Sequence, residues 1–582
     1  MKRKALLFNN VKLVSLTWLL ALSYAGLLLL SAYTDSGQSS ALLFEITSVS
    51  SAPVDLILSL DSMSVIFISL VSLIAACVML YTQKYMESDP NKNRLSGLLA
   101  LFIASMILFI MIPNIITMLL GWDGLGIISF ALVLFYNNSP SAGAAMITAL
   151  TNRIGDILII MALGLHLKVG HWNLSTLESL SSQWVYFLLL VASCTKSAQF
   201  PFCAWLPQAM AAPTPVSALV HSSTLVTAGV FLMIRLSEGS LPSQTWLNLL
   251  MFLATTTSLV AGLSALVETD LKKIVALSTL SQLGTMVLAL SLGHPNLAFF
   301  HLVTHAVSKS LLFICVGTFI SCNKGGQDTR NLTSQLWLTA PLSFFGATVA
   351  NLSLCGAPFL SGYYSKDLIL ETLWQLPTTS YVTLGAAIST ALTSAYSLKL
   401  LKISFTSLPT NESDPVRLTT GEPTHTKAPI LLLSFMTLYL GYFLSKSSTL
   451  FFTPLLLSSP HKHLASLMLI AGWVLMVAEE VGLIASITYP SHHFIHSMFF
   501  LETLTPQANL MGSKAPLYSP YKAMDQGWIE SSTIRAAKML SESLFDQNTN
   551  LAKYPILSYV ALSALALVVF LALILPGNPP FF

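Results

Sequence analysis

Long apolar stretches, each near the length needed to cross a bilayer, succeed one another along almost the whole chain with short polar breaks between them. A helix needs ~20 apolar residues to cross ~30 Å of hydrocarbon. On that basis the pattern predicts about 14 to 16 spanning helices. Their cores fall near 14–32, 62–82, 97–112, 114–136, 144–167, 184–204, 213–235 and 246–267, then near 273–292, 297–321, 336–355, 380–402, 429–446, 465–487 and 556–576. Asp89-Pro90-Asn91, Pro242-Ser243 and Gly325-Gly326-Gln327-Asp328 mark turns between them. The opening Met1-Lys2-Arg3-Lys4 and the apolar run to about Ala32 are long for a signal peptide, with no clear small-x-small cleavage site after them, and read as a retained first span. The expected fold class is therefore all-α, a polytopic transmembrane helix bundle.

Two segments break the apolar rhythm. One is Thr195-Lys196-Ser197-Ala198-Gln199-Phe200-Pro201, continuing through Pro207, Pro213 and Pro215; the other runs from Gly356-Ala357-Pro358-Phe359 to Gly362-Tyr363-Tyr364-Ser365-Lys366-Asp367. Each sets prolines and a lysine inside or beside an apolar run. Broken helices are tolerated in lipid only where protein or a wet cavity satisfies the freed backbone groups. Paired interruptions in two halves of a chain point to a transporter's pathway. The expected layout is N-terminal spans over 1–96, inverted-repeat-like units with broken helices over 97–235 and 245–405, further spans over 406–515, and a last part over 516–582. In that last part Met524, Trp528, Ala536, Met539, Leu540 and Leu544 fall near one helical face, and Asp525, Glu530, Arg535, Lys538 and Glu542 lie largely elsewhere. This predicts a lateral amphipathic helix leading to a final anchor.

Composition agrees. The chain is 54% hydrophobic and only 9% charged, against about 25% charged in soluble domains, so the apolar surplus must face lipid. A net charge of +3, with scattered Lys and Arg, gives no case for nucleic acid. Cys77, Cys194, Cys203, Cys315, Cys322 and Cys355 form no C-x-x-C pair and read mostly as buried small hydrophobes.

Ionisable side chains inside spans are costly and usually face a bundle interior or cavity. Asp123, Lys196, Lys309 and the adjacent Lys366 and Asp367 stand out. His301, His305 and Lys309 are four residues apart, so a helix places them in one polar stripe. Imidazole exchanges protons near neutrality and a desolvated lysine gives its proton up more readily, so such a stripe can pass protons. The alternative is that these groups only bond neighbouring helices. A metal site fits less well, since no carboxylate or cysteine joins the histidines and Lys309 would repel a cation. Asp123 and Lys196 are candidates for an ion pair, serving either as a switch or as a static brace. Arg153 and Asp156, three residues apart, are a candidate structural pair, and His221 follows the Pro213/Pro215 break in position to link neighbouring sites. Asp270, Lys272 and Lys273 are expected at a helix end by the membrane surface. The groups His461/His463 and His492/His493/His496 are expected at the interface.

Gly121-Trp122-Asp123-Gly124-Leu125-Gly126, Asn152-Arg153-Ile154-Gly155-Asp156 and Lys196-Ser197-Ala198-Gln199 resemble the subunit 5 family of NADH:ubiquinone oxidoreductase, mitochondrial type. Trp205-Leu206-Pro207, Pro213-Thr214-Pro215-Val216-Ser217-Ala218-Leu219, His221-Ser222-Ser223-Thr224, Asp270-x-Lys272-Lys273-Ile274-Val275-Ala276 and Tyr364-Ser365-Lys366-Asp367 continue the likeness in the same order. It is specific over about 85–405 and weaker beyond, where Asp525-Gln526-Gly527-Trp528-Ile529-Glu530 still resembles the family. The resemblance implies a proton-translocating, antiporter-like subunit of the membrane arm of respiratory complex I in the mitochondrial inner membrane. It implies that Asp123 pairs with Lys196, that Lys309 and Lys366 form the central and exit parts of a proton path, and that His221 lies between. Bacterial relatives carry glutamate where this chain has the shorter Asp123. Without a G-x-G-x-x-G after a strand, a P-loop or a cysteine ligand set, the chain is expected to hold no cofactor or metal. NADH, FMN, iron–sulfur clusters and ubiquinone are then expected in partner subunits, and the expected partners are the other membrane-arm subunits and the lipid bilayer. Competing readings are a subunit of a multisubunit cation/proton antiporter and an assembly scaffold that moves no protons.

Overall fold

A computed structural model of the chain describes residues 40–49, 52–166, 172–173, 182–239, 243–323, 325–331, 336–376, 379–406, 422–447, 463–480, 489–501, 503–504, 538–539, 541–542 and 565. The span expected near 14–32, all but residue 565 of the one near 556–576, most of the lateral helix expected within 516–582, and His461 lie outside these residues. The chain divides into two compact units, Met1–Glu502 and Thr503–Phe582, and the helix bundle belongs to the first.

The first described element is one the apolar pattern did not predict. Strands β1 (Ser40–Val49) and β2 (Ala52–Leu60) pair antiparallel, with an irregularity between Glu45 and Thr47. Phe44, Ile46, Thr47 and Val49 of β1 are residue types that suit a pleated surface, β2 is mostly apolar with Val54 and Ile57, and each segment is too short for a span.

Helices follow almost without pause. They are α1 (Ser62–Tyr85), α2 (Lys92–Met111), α3 (Ile115–Val133), α4 (Ser139–His166), α5 (Ser182–Lys196), α6 (Trp205–Gln208), α7 (Thr214–Leu219) and α8 (Leu225–Gly239). Then come α9 (Gln244–Val267), α10 (Leu271–Ser291), α11 (Pro295–Cys322), α12 (Leu336–Thr339), α13 (Pro341–Cys355) and α14 (Ser361–Gln375). The last are α15 (Ser380–Thr406), α16 (Thr424–Ser447), α17 (Leu464–Glu480) and α18 (Tyr489–His496). Among the described residues nine helices are long and apolar enough to cross a membrane, Thr214–Ser237 counting as one, and Pro341–Cys355 and Leu464–Ala478 are shorter apolar helices.

Local chemistry sets many of the ends. Asp61 and Ser64 close a capping box at the start of α1, and the Asn114 side chain accepts from the Ile116 amide at 3.1 Å to start α3. Proline sits in the first turn of α7, α11 and α13, where a missing N–H costs nothing. Gly356 ends α13 in the left-handed region, φ +90°, a conformation that suits glycine.

Both interruptions expected from the sequence are present. α5 stops at Lys196 and a spanning helix resumes only at Thr214; α13 stops at Cys355 and α14 resumes at Ser361. A third irregularity lies between α7 and α8, where Val220–Thr224 form a π-helical turn. The freed carbonyls are taken up locally: Thr195 O accepts from the Trp205 indole at 3.1 Å, and Leu219 O accepts from the Thr224 hydroxyl at 2.8 Å. Lysines serve the other carbonyls. Lys272 Nζ donates to Ala212 O at 3.2 Å, and Lys366 Nζ to Cys355 O at 3.2 Å.

Asp270, Lys272 and Lys273 stand at the start of α10, a helix end as expected; Lys272 is buried within the bundle, where the broken segment supplies it with a carbonyl, and Lys273 is half-exposed and pairs with Asp270 at 3.4 Å. α10, α11 and the segment Thr214–Ser237 are wholly buried over their apolar windows, whereas only about a third of that of α4 is. α11 is the hub, packing on α1, α7, α8, α10, α13, α14 and α16.

Candidate functional site

The first polar cluster forms where α3, α4 and α5 meet. α4 lies so close to α5 that a Cβ on Gly155 would fall 2.4 Å from Thr195 Oγ1. This brings Asp156 of α4 to the side of Trp122 of α3, whose indole donates to Asp156 Oδ1 at 2.7 Å. Lys196, fully buried at the last position of α5, donates to the Trp122 carbonyl at 2.7 Å and lies over the same indole, 3.6 Å from the ring centroid. Arg153 bonds Asp156 Oδ2 at 2.9 Å, as the three-residue spacing predicts, and reaches Asp123 at 3.5 Å.

Asp123 therefore does not pair with Lys196. Among the described residues its ion-pair partner is Arg153, and its side chain is 43% exposed. The reason is placement: Trp122 turns inward and fully buried, so the next residue along α3 points about 100° away from it. Among the described residues, hydrogen bonds and close ion pairs link Asp123 to Lys196 in steps, through Arg153, Asp156 and Trp122.

Past the break, Gln199 is fully buried and its Oε1 accepts from Thr257 on α9 at 2.8 Å. His221 lies in the π turn, with its ring centroid 6.2 Å from that of Trp205. It is buried, and neither ring nitrogen has a hydrogen-bond partner among the described residues.

The second cluster is built on α11. His301, His305 and Lys309 lie along this buried helix as their spacing predicts, and the two imidazole centroids are 6.4 Å apart. Lys309 Nζ donates to Ser278 Oγ of α10 at 2.5 Å. His305, like His221, has no partner for either ring nitrogen among the described residues. His301 is held from both sides, Nε2 lying 3.1 Å from Gln282 Oε1 and Nδ1 3.0 Å from Ser365 Oγ of α14. Thr304 Oγ1 is also 3.0 Å from Ser365 Oγ.

Lys366, next to Ser365, is buried and donates to Thr393 of α15 at 2.8 Å as well as to the freed end of α13. Asp367 is half-buried on the adjoining face. Thus α10, α11, α14 and α15 bring His301, His305, Lys309 and Lys366 into one polar region, while Asp123 stays at the margin of the first cluster.

Sequence reading overlooked Trp122 as the centre of the first cluster. It also missed the polar face of α10, where Ser278, Ser281 and Gln282 meet Lys309, Tyr396 and His301 in turn. Three polar residues at helical spacing within an apolar span were the available signal. Five cysteines are buried and Cys322 is exposed; Cys355 Sγ lies 2.7 Å from Ser397 Oγ. Among the described residues no group of three or more His, Cys, Asp or Glu side chains is arranged to hold a metal ion. His463, His492, His493 and His496 are exposed. Outside the spans, the Arg330 guanidinium, 2.7 Å from Asp328, holds that carboxyl below the usual carboxylate range.

Comparison with known proteins adds the following. Residues 113–393 match the family model described as NADH:quinone oxidoreductase/Mrp antiporter, TM. Residues 46–95 match NADH-Ubiquinone oxidoreductase (complex I), chain 5 N-terminus, and residues 396–574 match NADH dehydrogenase subunit 5 C-terminus. NADH-ubiquinone oxidoreductase chain 5 of Lumbricus terrestris is 40% identical over 545 residues, 90% of this chain and 92% of that one. The chain 5 of Anopheles gambiae is 42% identical over 512 residues, 84% of this chain and 85% of that one. Among solved structures, a chain of the Mrp complex from Dietzia sp. DQ12-45-1b superposes with a TM-score of 0.69 at 23% identity, covering 98% of this chain and 64% of that one. A chain of an archaeal membrane-bound sulfane sulfur reductase superposes at 0.66 with 19% identity, over 81% of this chain and 93% of that one. These two likenesses bear on the fold.

Proposed function

The chain belongs to the family of NADH-ubiquinone oxidoreductase chain 5, and from that membership we propose which of its side chains carry the family's protons. It is a proton-translocating membrane-arm subunit of that oxidoreductase and a multi-pass protein of the mitochondrial inner membrane.

In our reading the path joins two units, 97–235 and 245–405, each with a broken helix and a buried lysine. It runs along Lys196, His221, Lys309, His305, His301 and Lys366. Asp123, Arg153 and Asp156 set the charge around Lys196, and Asp367 lies at the far end beside Lys366. The observation that supports it best is the burial of Lys309, His305 and His301 along one helix, with Lys309 and His301 hydrogen-bonded to polar side chains of α10 and α14. Lysines inside a membrane bundle are costly unless used. The imidazoles of His221 and His305, buried without hydrogen-bond partners among the described residues, would carry bound water, as buried polar groups generally do. Such water would bridge the gaps between hydrogen-bonded stations.

The switch at Lys196 works in this reading through Asp156 rather than through direct contact with Asp123. Any rearrangement of Arg153 between Asp123 and Asp156 alters the negative charge felt at the Trp122–Lys196 contact. NADH, FMN, iron–sulfur clusters and ubiquinone belong, in this reading, to partner subunits. Energy then reaches this chain through the neighbouring membrane-arm subunits.

The test is Lys196→Met in the assembled complex, with assembly checked by NADH dehydrogenase staining of a native gel. Protons moved per NADH oxidised in proteoliposomes are expected to fall. An unchanged ratio in a fully assembled complex would overturn the path.

A further inference from the structure

Gln282 stands where α10 faces the ring of His301. It is fully buried, and its Oε1 lies 3.1 Å from His301 Nε2. The opposite ring nitrogen, Nδ1, faces Ser365 Oγ at 3.0 Å, and Ser365 in turn meets Thr304 Oγ1 at 3.0 Å. A neutral imidazole carries one proton, so one nitrogen must donate and the other accept.

If the proton is on Nε2, both ring nitrogens are satisfied, while the Gln282 amide nitrogen has no hydrogen-bond partner among the described residues. Nε2–H donates to the Gln282 carbonyl, the Ser365 hydroxyl donates to Nδ1, and the Thr304 hydroxyl donates to Ser365. If the proton is on Nδ1, the bare Nε2 faces the Gln282 carbonyl oxygen, lone pair against lone pair, inside a buried site where an unmade hydrogen bond is expensive. We propose that Gln282 is a positioning residue for proton transfer: it fixes His301 with its proton on Nε2 and offers Nδ1 to the Ser365–Thr304 hydroxyl pair.

The ring then exchanges protons through its α14 side. A proton enters at Nδ1 as the Ser365 O–H bond breaks and the Nδ1–H bond forms; Ser365 takes the Thr304 hydroxyl proton, and Thr304 takes one in turn from a lysine ammonium of the proposed path, which is left neutral. The resulting imidazolium returns to neutrality by losing a proton from either nitrogen. Gln282 opposes loss from Nε2, so the proton leaves again from Nδ1 and the ring serves as a one-sided proton store facing the Ser365–Thr304 pair. This rests on the proton path proposed above. The titratable groups bearing on the ring are His305 and Lys309 of its own helix, Lys366 of α14, and Tyr396 of α15, whose hydroxyl meets Ser281 beside Gln282 at 3.1 Å.

The experiment compares Gln282→Leu, Gln282→Glu and His301→Leu in the assembled complex, measuring protons pumped per NADH across a pH series in proteoliposomes. Gln282→Leu removes the tautomer preference and is expected to slow coupled pumping about fivefold, the effect of one net hydrogen bond. Gln282→Glu accepts from Nε2–H but adds a charge that holds the imidazolium, so its pumping profile is expected to move to higher pH. Should Leu prevent assembly, the near-isosteric Glu variant decides. A wild-type rate in Gln282→Leu, or an unmoved profile in Gln282→Glu, with His301→Leu impaired, overturns the role of Gln282 alone. Normal pumping in His301→Leu overturns the path on which it rests.

Discussion

Gly229 is the position where a single methyl group should do most to the first break. It lies on α8 against the end of α5, and a Cβ there would fall 2.5 Å from Ser193 O and 2.8 Å from Ser197 N. Ordinary contact begins at 3.4 Å, so the helix must retreat by about 0.9 Å at the residues that flank Lys196. The obstructing atoms are backbone and cannot rotate aside. Overpacking of this kind costs about 1–3 kcal/mol. Alanine recovers about 1 kcal/mol of helix propensity relative to glycine, which leaves a net loss of up to about 2 kcal/mol for Gly229→Ala. Gly126 of α3 is the control, since a Cβ there meets nothing within 4 Å. Heating the solubilised complex and following the NADH-stained native band should show Gly229→Ala failing at lower temperature than wild type, with fewer protons pumped per NADH, while Gly126→Ala does neither. Equal behaviour of the two variants would refute the claim that α8 clamps the break around Lys196.

Other expectations are simpler. Ser278→Ala removes the hydroxyl 2.5 Å from Lys309 Nζ, and losing a hydrogen bond to a charged group should cut coupled turnover about tenfold, read by ubiquinone reduction in sealed vesicles; an unchanged rate would remove Ser278 from the path. Arg235 pairs with Asp61 at 2.7 Å, with side chains 10% and 27% exposed. Removing one partner of a fully buried pair costs about 3–5 kcal/mol, and partial exposure reduces this to about 1–3 kcal/mol for Arg235→Leu. Adding Asp61→Asn should recover part of the loss in the same thermal assay, and a double variant weaker than the single would count against the pairing. Asp156→Asn keeps an acceptor for the Trp122 indole but removes the charge bonded to Arg153. Pumping should fall with the complex assembled, and a normal proton-to-electron ratio would show that the charge is dispensable.

Much of the bundle was legible because span length and helical spacing are local properties. Expected cores such as 246–267 and 297–321 sit inside α9 and α11. The two broken segments announced themselves through prolines and lysines, and the spacing of His301, His305 and Lys309 was enough to set them in one row. What failed needed a third dimension. Asp123 and Lys196 are both ionisable and apolar-flanked, yet rotation along α3 gives Lys196 the backbone of Trp122 and leaves Asp123 to Arg153. The burial of Lys272 depends on a carbonyl from the distant break at Ala212, which no local pattern marks. Serine, threonine and glutamine are common enough within spans that Ser278 and Gln282 drew no notice beside three titratable neighbours. The hairpin of Ser40–Leu60 was hidden by a search tuned to helices of about 20 residues.

The central claim, that protons cross this subunit through its buried lysines, is tested most directly at Lys309 with Lys309→Met in the otherwise native complex. Protons translocated per NADH oxidised should be measured in sealed proteoliposomes, alongside a native gel that shows the complex intact. A lower ratio, or NADH oxidation slowed together with pumping, is what the account predicts. Full oxidation with the wild-type ratio in an intact complex would contradict it, and would leave the subunit as a scaffold that moves no protons.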